Sequence, residues 1–278
     1  MRKMNNSFYV TLPSNVQGAI DNRISDYTTI LPNTLRLSDD YHVAITEISY
    51  TKSWHNVTQQ STFKFYDYKG EIANIAGIGV GYYSLIDLVN TINTVIKDCK
   101  KIIEHPVLEL DNFRKSVKIR NGKTSIGPVS VFLGYELEEM LGFARNDSYN
   151  IDMLVEKVSI HSLLLTDSEI EKGYREPSQS VDIKAGIHFL MVYSDIVSHS
   201  IVGNTYANFL RSVKIDETVS HGDDVNIVFQ KPYYFPIALH DINQIRINIK
   251  DDGGRPFEFQ FGRVSVTLHF KKVWKAII

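Results

Sequence analysis

The sequence predicts an all-β-dominated protein, a single jelly-roll β-sandwich with an inserted small α+β subdomain. Three observations carry that expectation. Apolar and polar residues alternate with period 2 toward both ends of the chain, and one central stretch switches to helical spacing. Turn-forming clusters separate the runs. The 278 residues suffice for one large β domain or a core with a second unit. Eight core strands with long connections match two four-stranded sheets, although period-2 patterning alone leaves other β-sandwiches open.

The elements follow in order. Phe8-Tyr-Val-Thr-Leu12 predicts a strand stopped by Pro13, and residues 27–37 are extended around Pro32. Residues 42–50 alternate through Val43, Ile45 and Ile48, with an irregularity near Glu47. In 62–68, Phe63 and Phe65 share one face and Tyr66 and Tyr68 the other. Ser84-Leu-Ile-Asp87 is a capping box, and Leu85, Leu88, Val89, Ile92, Val95 and Ile96 recur at helical spacing, predicting a helix over 84–98. Short strands at 107–111 and 116–120 precede a turn signal at Asn121-Gly122, and a helical patch at 136–142 ends on Gly142. Residues 166–180 are polar and read as a mobile loop. Strands return at 187–197, 209–215, 225–229 and 233–237. The expected division is therefore a jelly-roll core at 1–60 and 156–278, with the α+β subdomain at 61–155.

The last strands are the most strongly patterned. Ile245, Ile247 and Ile249 alternate with Arg246, Asn248 and Lys250, and Phe257, Phe259 and Phe261 alternate with Glu258 and Gln260. Between them Asp251-Asp-Gly-Gly-Arg-Pro256 can reverse the chain, and Gly262 marks a bend before Val264, Val266, Leu268 and Phe270. This predicts a long antiparallel hairpin that supplies two neighbouring core strands.

Net charge is −2, from 30 basic and 32 acidic residues, so no global field draws the chain to nucleic acid or an anionic membrane. A lone cysteine, Cys99, excludes an intrachain disulfide and points to folding in a reducing compartment. The N-terminus lacks the apolar stretch of a signal peptide, and no window approaches the ~20 apolar residues of a membrane span.

Few constellations suggest chemistry. Gly77-x-Gly79-x-Gly81 departs from a dinucleotide fingerprint because Tyr82 stands where the third glycine belongs. His221-Gly-Asp223-Asp224 and Asp251-Asp252 offer metal-ligating atoms, but at turns, where Asp caps backbone groups. Cys99 lies beside Lys97, Lys100 and Lys101, which could depress its pKa, with His105 following in the chain, but a cysteine without a chemical role is the favoured reading. His188, His199, His240 and His269 are isolated, unlike a cupin-type ligand set, and no Gly-x-Ser-x-Gly elbow occurs. The reading is no catalytic, cofactor or metal residue and no enzyme. Residues 97–123 are basic but hold only one aromatic, Phe113, which favours a solvated face over a nucleic-acid surface. Tyr66, Tyr68, Tyr82, Tyr83, Tyr233 and Tyr234 are candidate interface anchors, with sheet packing as the equal alternative.

Phe8-Tyr-Val-Thr-Leu-Pro-Ser-Asn15, Trp54 after Ile45-Thr-Glu-Ile-Ser-Tyr50, and Gly81-Tyr-Tyr-Ser-Leu-Ile-Asp-Leu-Val-Asn90 form an ordered series. It continues with Val192-Tyr-Ser-Asp-Ile-Val-Ser-His-Ser-Ile-Val-Gly-Asn-Thr205, Asp251-Asp-Gly-Gly-Arg-Pro256 and Phe261-Gly-Arg-Val-Ser-Val-Thr-Leu-His-Phe270. Together these phrases, which cover nearly the whole chain, resemble the minor capsid (penton) protein of Maverick/Polinton-type elements and related adintovirus- and virophage-like viruses. Asn204 departs from the acid frequent there. The resemblance implies a structural virion protein that forms homopentamers at capsid vertices and contacts the major capsid protein. A host receptor or another vertex protein would be a further partner, with no direct nucleic-acid contact and no membrane span. Folding would occur in the host cytoplasm or nucleus. The alternative is a carbohydrate- or receptor-binding β-sandwich module, which would group exposed aromatics with acids and amides.

Overall fold

Alternation at the N-terminus produces β1 (Ser7–Pro13), β2 (Asp26–Arg36) and β3 (Tyr41–Thr51). The chain continues through β4 (Thr62–Asp67), β5 (Gly70–Ala76), α1 (Leu85–Ile96), β6 (Val107–Asp111), β7 (Ser116–Arg120), β8 (Gly122–Lys123) and β9 (Pro128–Phe132). Then come α2 (Tyr135–Met140), α3 (Asp167–Lys172) and β10 (Tyr174–Arg175). The last third holds β11 (Phe189–Ser194), β12 (Ser200–Val202), β13 (Thr205–Ala207) and β14 (Phe209–Lys214). It ends with β15 (Asp224–Val228), β16 (Phe235–Pro236), β17 (Asp241–Lys250) and β18 (Val264–Lys272). These elements come from a computed structural model that describes residues 7–14, 22–38, 40–67, 69–143, 167–184, 187–216 and 218–273. They fall into two units, Met1–Trp54 with Ile187–Ile278, and His55–Gly186.

The first unit is a jelly roll. One sheet runs β1-β18-β3-β15, with β16 also on β3, and the other runs β14-β11-β17-β2. Sequence neighbours β1 and β2, β2 and β3, β14 and β15, and β17 and β18 lie in different sheets, the stepping that winds eight strands into two four-stranded layers. The core forms where the inward sides meet. Leu12, Val43, Ile48, Val266 and Leu268 from one sheet and Leu190, Val192, Ile245, Ile247 and Ile249 from the other are all fully buried. The irregularity expected near Glu47 is a bulge: Glu47 faces Thr267 and Ile45 faces Leu268, so Thr46 is the extra residue. It lets Ile45 and Ile48, three apart, both point inward.

The predicted terminal hairpin is not formed, since β17 and β18 belong to opposite sheets. The reversal does begin, with Lys250 bridging Pro256 and the Phe257 amide donating to the Ile249 carbonyl. Pairing then stops because Phe257 turns into the core. Its ring meets Trp54 edge-on at 5.0 Å and Phe259 at 4.6 Å, while Phe261 stays about half exposed. Gly262 carries the chain across to β18 at φ 89°, where a Cβ would overlap the Thr51 side chain.

The second unit has its own core, built on a β10-β7-β6 sheet and a β5-β4-β9-β8 sheet. α1 starts as the capping box requires, with Ser84 Oγ accepting from the Asp87 amide, and buries Leu88, Val89, Ile92 and Ile96. Asn93 fastens the helix to β6, its side chain accepting from the Leu108 amide at 2.8 Å and donating to the Leu108 carbonyl at 2.9 Å. Residues 167–175, expected in a mobile loop, instead form α3 and β10. Arg175 is buried there against Glu138, with its guanidinium 4.6 Å from the Phe143 ring. Local polarity hid a charge whose partner lies far away in the chain.

Candidate functional site

Alternation on the β1-β18-β3-β15 sheet leaves an outward face of aromatic and small polar side chains. Tyr9 and His269 are paired across β1 and β18, with rings stacked 4.3 Å apart. On the core side the next pair, Phe8 and Phe270, stacks at 4.9 Å, so each strand presents rings to both faces. β16 pairs with β3 beside this strip, and the preceding Tyr234 hydroxyl lies 2.6 Å from His269 Nδ1. Burial and the Lys271 charge hold the His269 pKa below its ordinary value, which favours the neutral ring, and the tautomer decides which of the two groups donates. Farther along, Thr11 and Thr267 hydroxyls meet at 3.2 Å, and Ser49 donates to Asn226 at 3.0 Å.

The two flanks of the sandwich differ. Along one, the edge strands are β14 and β15, and Arg211 is held against Phe229 at 3.8 Å and Tyr233 at 4.5 Å. The Arg211 guanidinium also donates to the Lys231 carbonyl at 3.2 Å. Tyr233 and Val228 are largely exposed beside it. Along the other flank the edges are β1 and β2, tied together by the Tyr27 hydroxyl donating to the Leu12 carbonyl at 2.9 Å. Here Ile30 is 73% exposed, and Pro32 withholds an amide from the β2 edge. Aromatic rings with an ordered arginine on one flank, and an apolar edge on the other, are the residue types that protein interfaces use most.

Among the candidate tyrosines, Tyr233 and Tyr234 thus lie on this surface. In the second unit Tyr66 is buried, its pKa pushed up to about 12 by burial and then by the Glu71 carboxylate. Tyr83 donates its hydroxyl to the Gly79 carbonyl, Tyr82 is partly exposed, and Tyr68 lies outside the described residues. The sequence did not mark Arg211 or Tyr9 as interface residues, and it noted His269 only as an isolated histidine. Tyr9 and His269 carried a usable signal, both falling on polar-side positions of alternating strands.

The other constellations resolve into structure. Asp251 accepts from the Arg255 amide and side chain and so closes the turn, while Asp252 accepts from the His188 and Phe189 amides and ties that turn to the start of β11. Cys99 is buried, with its carbonyl 2.9 Å from His105 Nε2. In the basic segment, Arg114, Lys118, Arg120 and Lys123 each have a carboxylate within 4 Å. Among the described residues no three of His, Cys, Asp and Glu gather as metal ligands, and no helix is long and apolar enough to cross a membrane.

No family model matches the chain, and no curated protein does. A solved structure does match: the crystal structure of the selenomethionine-labelled mavirus penton protein, at a TM-score of 0.53 and 14% sequence identity. The chain shares that penton protein's fold. The correspondence covers 96% of this chain and 99% of the penton chain, so it takes in the second unit as well as the jelly roll.

Proposed function

We propose that this protein is a capsid penton, a structural protein that forms homopentamers at the vertices of a virion and contacts a major capsid protein there. The observation that carries the reading is the end-to-end likeness to the mavirus penton protein, 99% of whose chain is matched. The unlike flanks support it physically. A ring needs heterologous contacts, in which one surface of each copy meets a different surface of the next, and rotation that closes prevents open filament growth. Arg211, Phe229 and Tyr233 on the β14–β15 flank would meet the β1–β2 flank around Tyr9 and Ile30. Tyr234 would lie at the margin of this contact. The second unit, an insertion between β3 and β11, would present Tyr82 and Tyr83 to a vertex partner or receptor. The role is architectural, not catalytic.

Native mass spectrometry tests it. Five chains of 31.7 kDa give a ring of about 160 kDa. Arg211→Ala and Ile30→Asp should each dissolve the ring into folded monomers, because they strike opposite sides of one contact. Monomers or dimers at every protein and salt concentration would overturn the proposal.

A further inference from the structure

The outer face of the β14-β11-β17-β2 sheet carries a second feature, separate from the flanks. Because Ile245, Ile247 and Ile249 are fixed in the core, β17 turns Arg246, Asn248 and Lys250 outward. Antiparallel register sets Tyr193 of β11 directly across from Asn248. The β12–β13 hairpin raises a wall over this ladder, with Tyr206 76% exposed at its edge. Asn208 anchors the wall, donating its side-chain amide to the Val197 carbonyl at 2.6 Å and accepting at its carbonyl from the Ser194 amide at 3.0 Å. Asp195 completes the rim. The open concavity bounded in this way measures about 440 Å³, which is within the range of small-molecule sites.

Its polar groups are held in place before any ligand arrives. Arg246 is locked to Asp26 by two hydrogen bonds of 2.8 and 2.6 Å, and the Arg246 amide donates to Asp195 Oδ1 at 3.0 Å. Asp195 keeps acceptor capacity, since a carboxylate offers about four lone-pair positions. Lys250 Nζ stands 5.2 Å from the centre of the Tyr193 ring, and among the described residues no carboxylate lies within 4 Å of it. The site therefore joins two aromatic rings, a carboxylate acceptor, an amide and an ammonium donor.

We propose that this concavity binds a neutral pyranose, as a terminal sugar of a glycan. A pyranose offers an apolar C–H face to an aromatic ring, and its hydroxyls both donate and accept. Tyr206 and Tyr193 supply the rings, Asp195 accepts from a hydroxyl, and Asn248 and Lys250 complete a neighbouring one. A charged sugar suits the site less well: an anion would face Asp195 and a cation would face Lys250. The inference does not depend on pentamer formation.

Saturation-transfer NMR and a glycan array probed with the full chain test it, with neutral hexose oligosaccharides, sialylated oligosaccharides and a single-stranded oligonucleotide as probes. Binding should be to the neutral set, and Tyr206→Ala and Asp195→Asn should each weaken it by about tenfold or more. Tyr206 is exposed, so its truncation should leave the melting temperature unchanged, separating a lost contact from a lost fold. Lys250→Met should also weaken binding and should not shift preference toward acidic sugars. No binding to neutral sugars, binding indifferent to Tyr206→Ala, or preference for the sialylated or oligonucleotide probes would overturn the assignment.

Discussion

Glu138 and Arg175 lie 37 positions apart, yet their charged groups meet in the interior of the second unit. Glu138 also accepts from the Leu133 amide at 3.1 Å, and Arg175 reaches the Val131 carbonyl at 3.5 Å, so the pair is wired into β9 and the start of α2. Removing one partner leaves the other charge buried and uncompensated. Glu138→Ala or Arg175→Ala should each cost about 3–5 kcal/mol in urea unfolding, whereas Glu138→Leu with Arg175→Met should recover most of the loss. Equal losses in the single and double variants would mean that packing, not charge, sets the cost. His269 gives a pH test. Its folded pKa lies below the ordinary 6.5, so between those values the unfolded chain binds the extra proton. Stability from this group is fully present above 6.5 and falls as pH drops toward the folded value, because burial and the Lys271 charge disfavour the imidazolium in the folded chain. The urea midpoint of the wild type should fall relative to that of His269→Gln between about pH 7 and pH 5. A parallel pair of curves would remove His269 from the pH dependence.

β18 is the element on which the first sheet depends, lying between β1 and β3 with Val264, Val266, Leu268 and Phe270 all at 0% exposure. Leu268→Ala should cost about 2–5 kcal/mol, through lost burial and the cavity left behind. Ser265, on the outward side, should tolerate Ala within about 0.5 kcal/mol. Similar costs at both positions, measured by thermal unfolding, would show the outer face to be covered as well. That the set 264, 266, 268 and 270 points inward was legible, because a half-buried strand writes its period directly into the sequence. α1 was legible for the same reason at helical period, down to its Ser84 cap. The partner of β18 was not. Period 2 states which side of a strand is buried but carries no record of which strand lies beside it. The turn-forming residues 251–256 pointed to the preceding strand as its neighbour, but β18 pairs with β1 and β3 because Phe257 leaves the ladder. β5 was missed because its burial alternates weakly, and β8 and β10 because two residues are too few to show a period. The interface surface was legible in part: Tyr233 and Tyr234 stood out as a cluster, but Arg211 acquires its meaning only from rings brought to it by folding.

At the scale of the molecule, two hydrophobic clusters share no residue. One draws on Leu12 through Trp54 and Leu190 through Phe270, and the other on Val57 through Phe143. Each unit also closes its own sheets, with no ladder shared between them among the described residues. Chains built this way fold as separable units, since each buries its apolar surface without the other. A variant in which a Gly/Ser linker replaces residues 55–186 should therefore keep a β-type circular dichroism spectrum and unfold in one cooperative step. The eight strands of the jelly roll are all retained in it, and so are Arg211, Tyr233, Tyr9 and Ile30 on the two flanks. If the flanks make the ring, the shortened chain should still sediment as a pentamer. A folded but monomeric variant, beside a pentameric full chain, would move the assembly contact into the second unit. An unfolded variant would show that the sandwich depends on residues 55–186, and separability would fail with it.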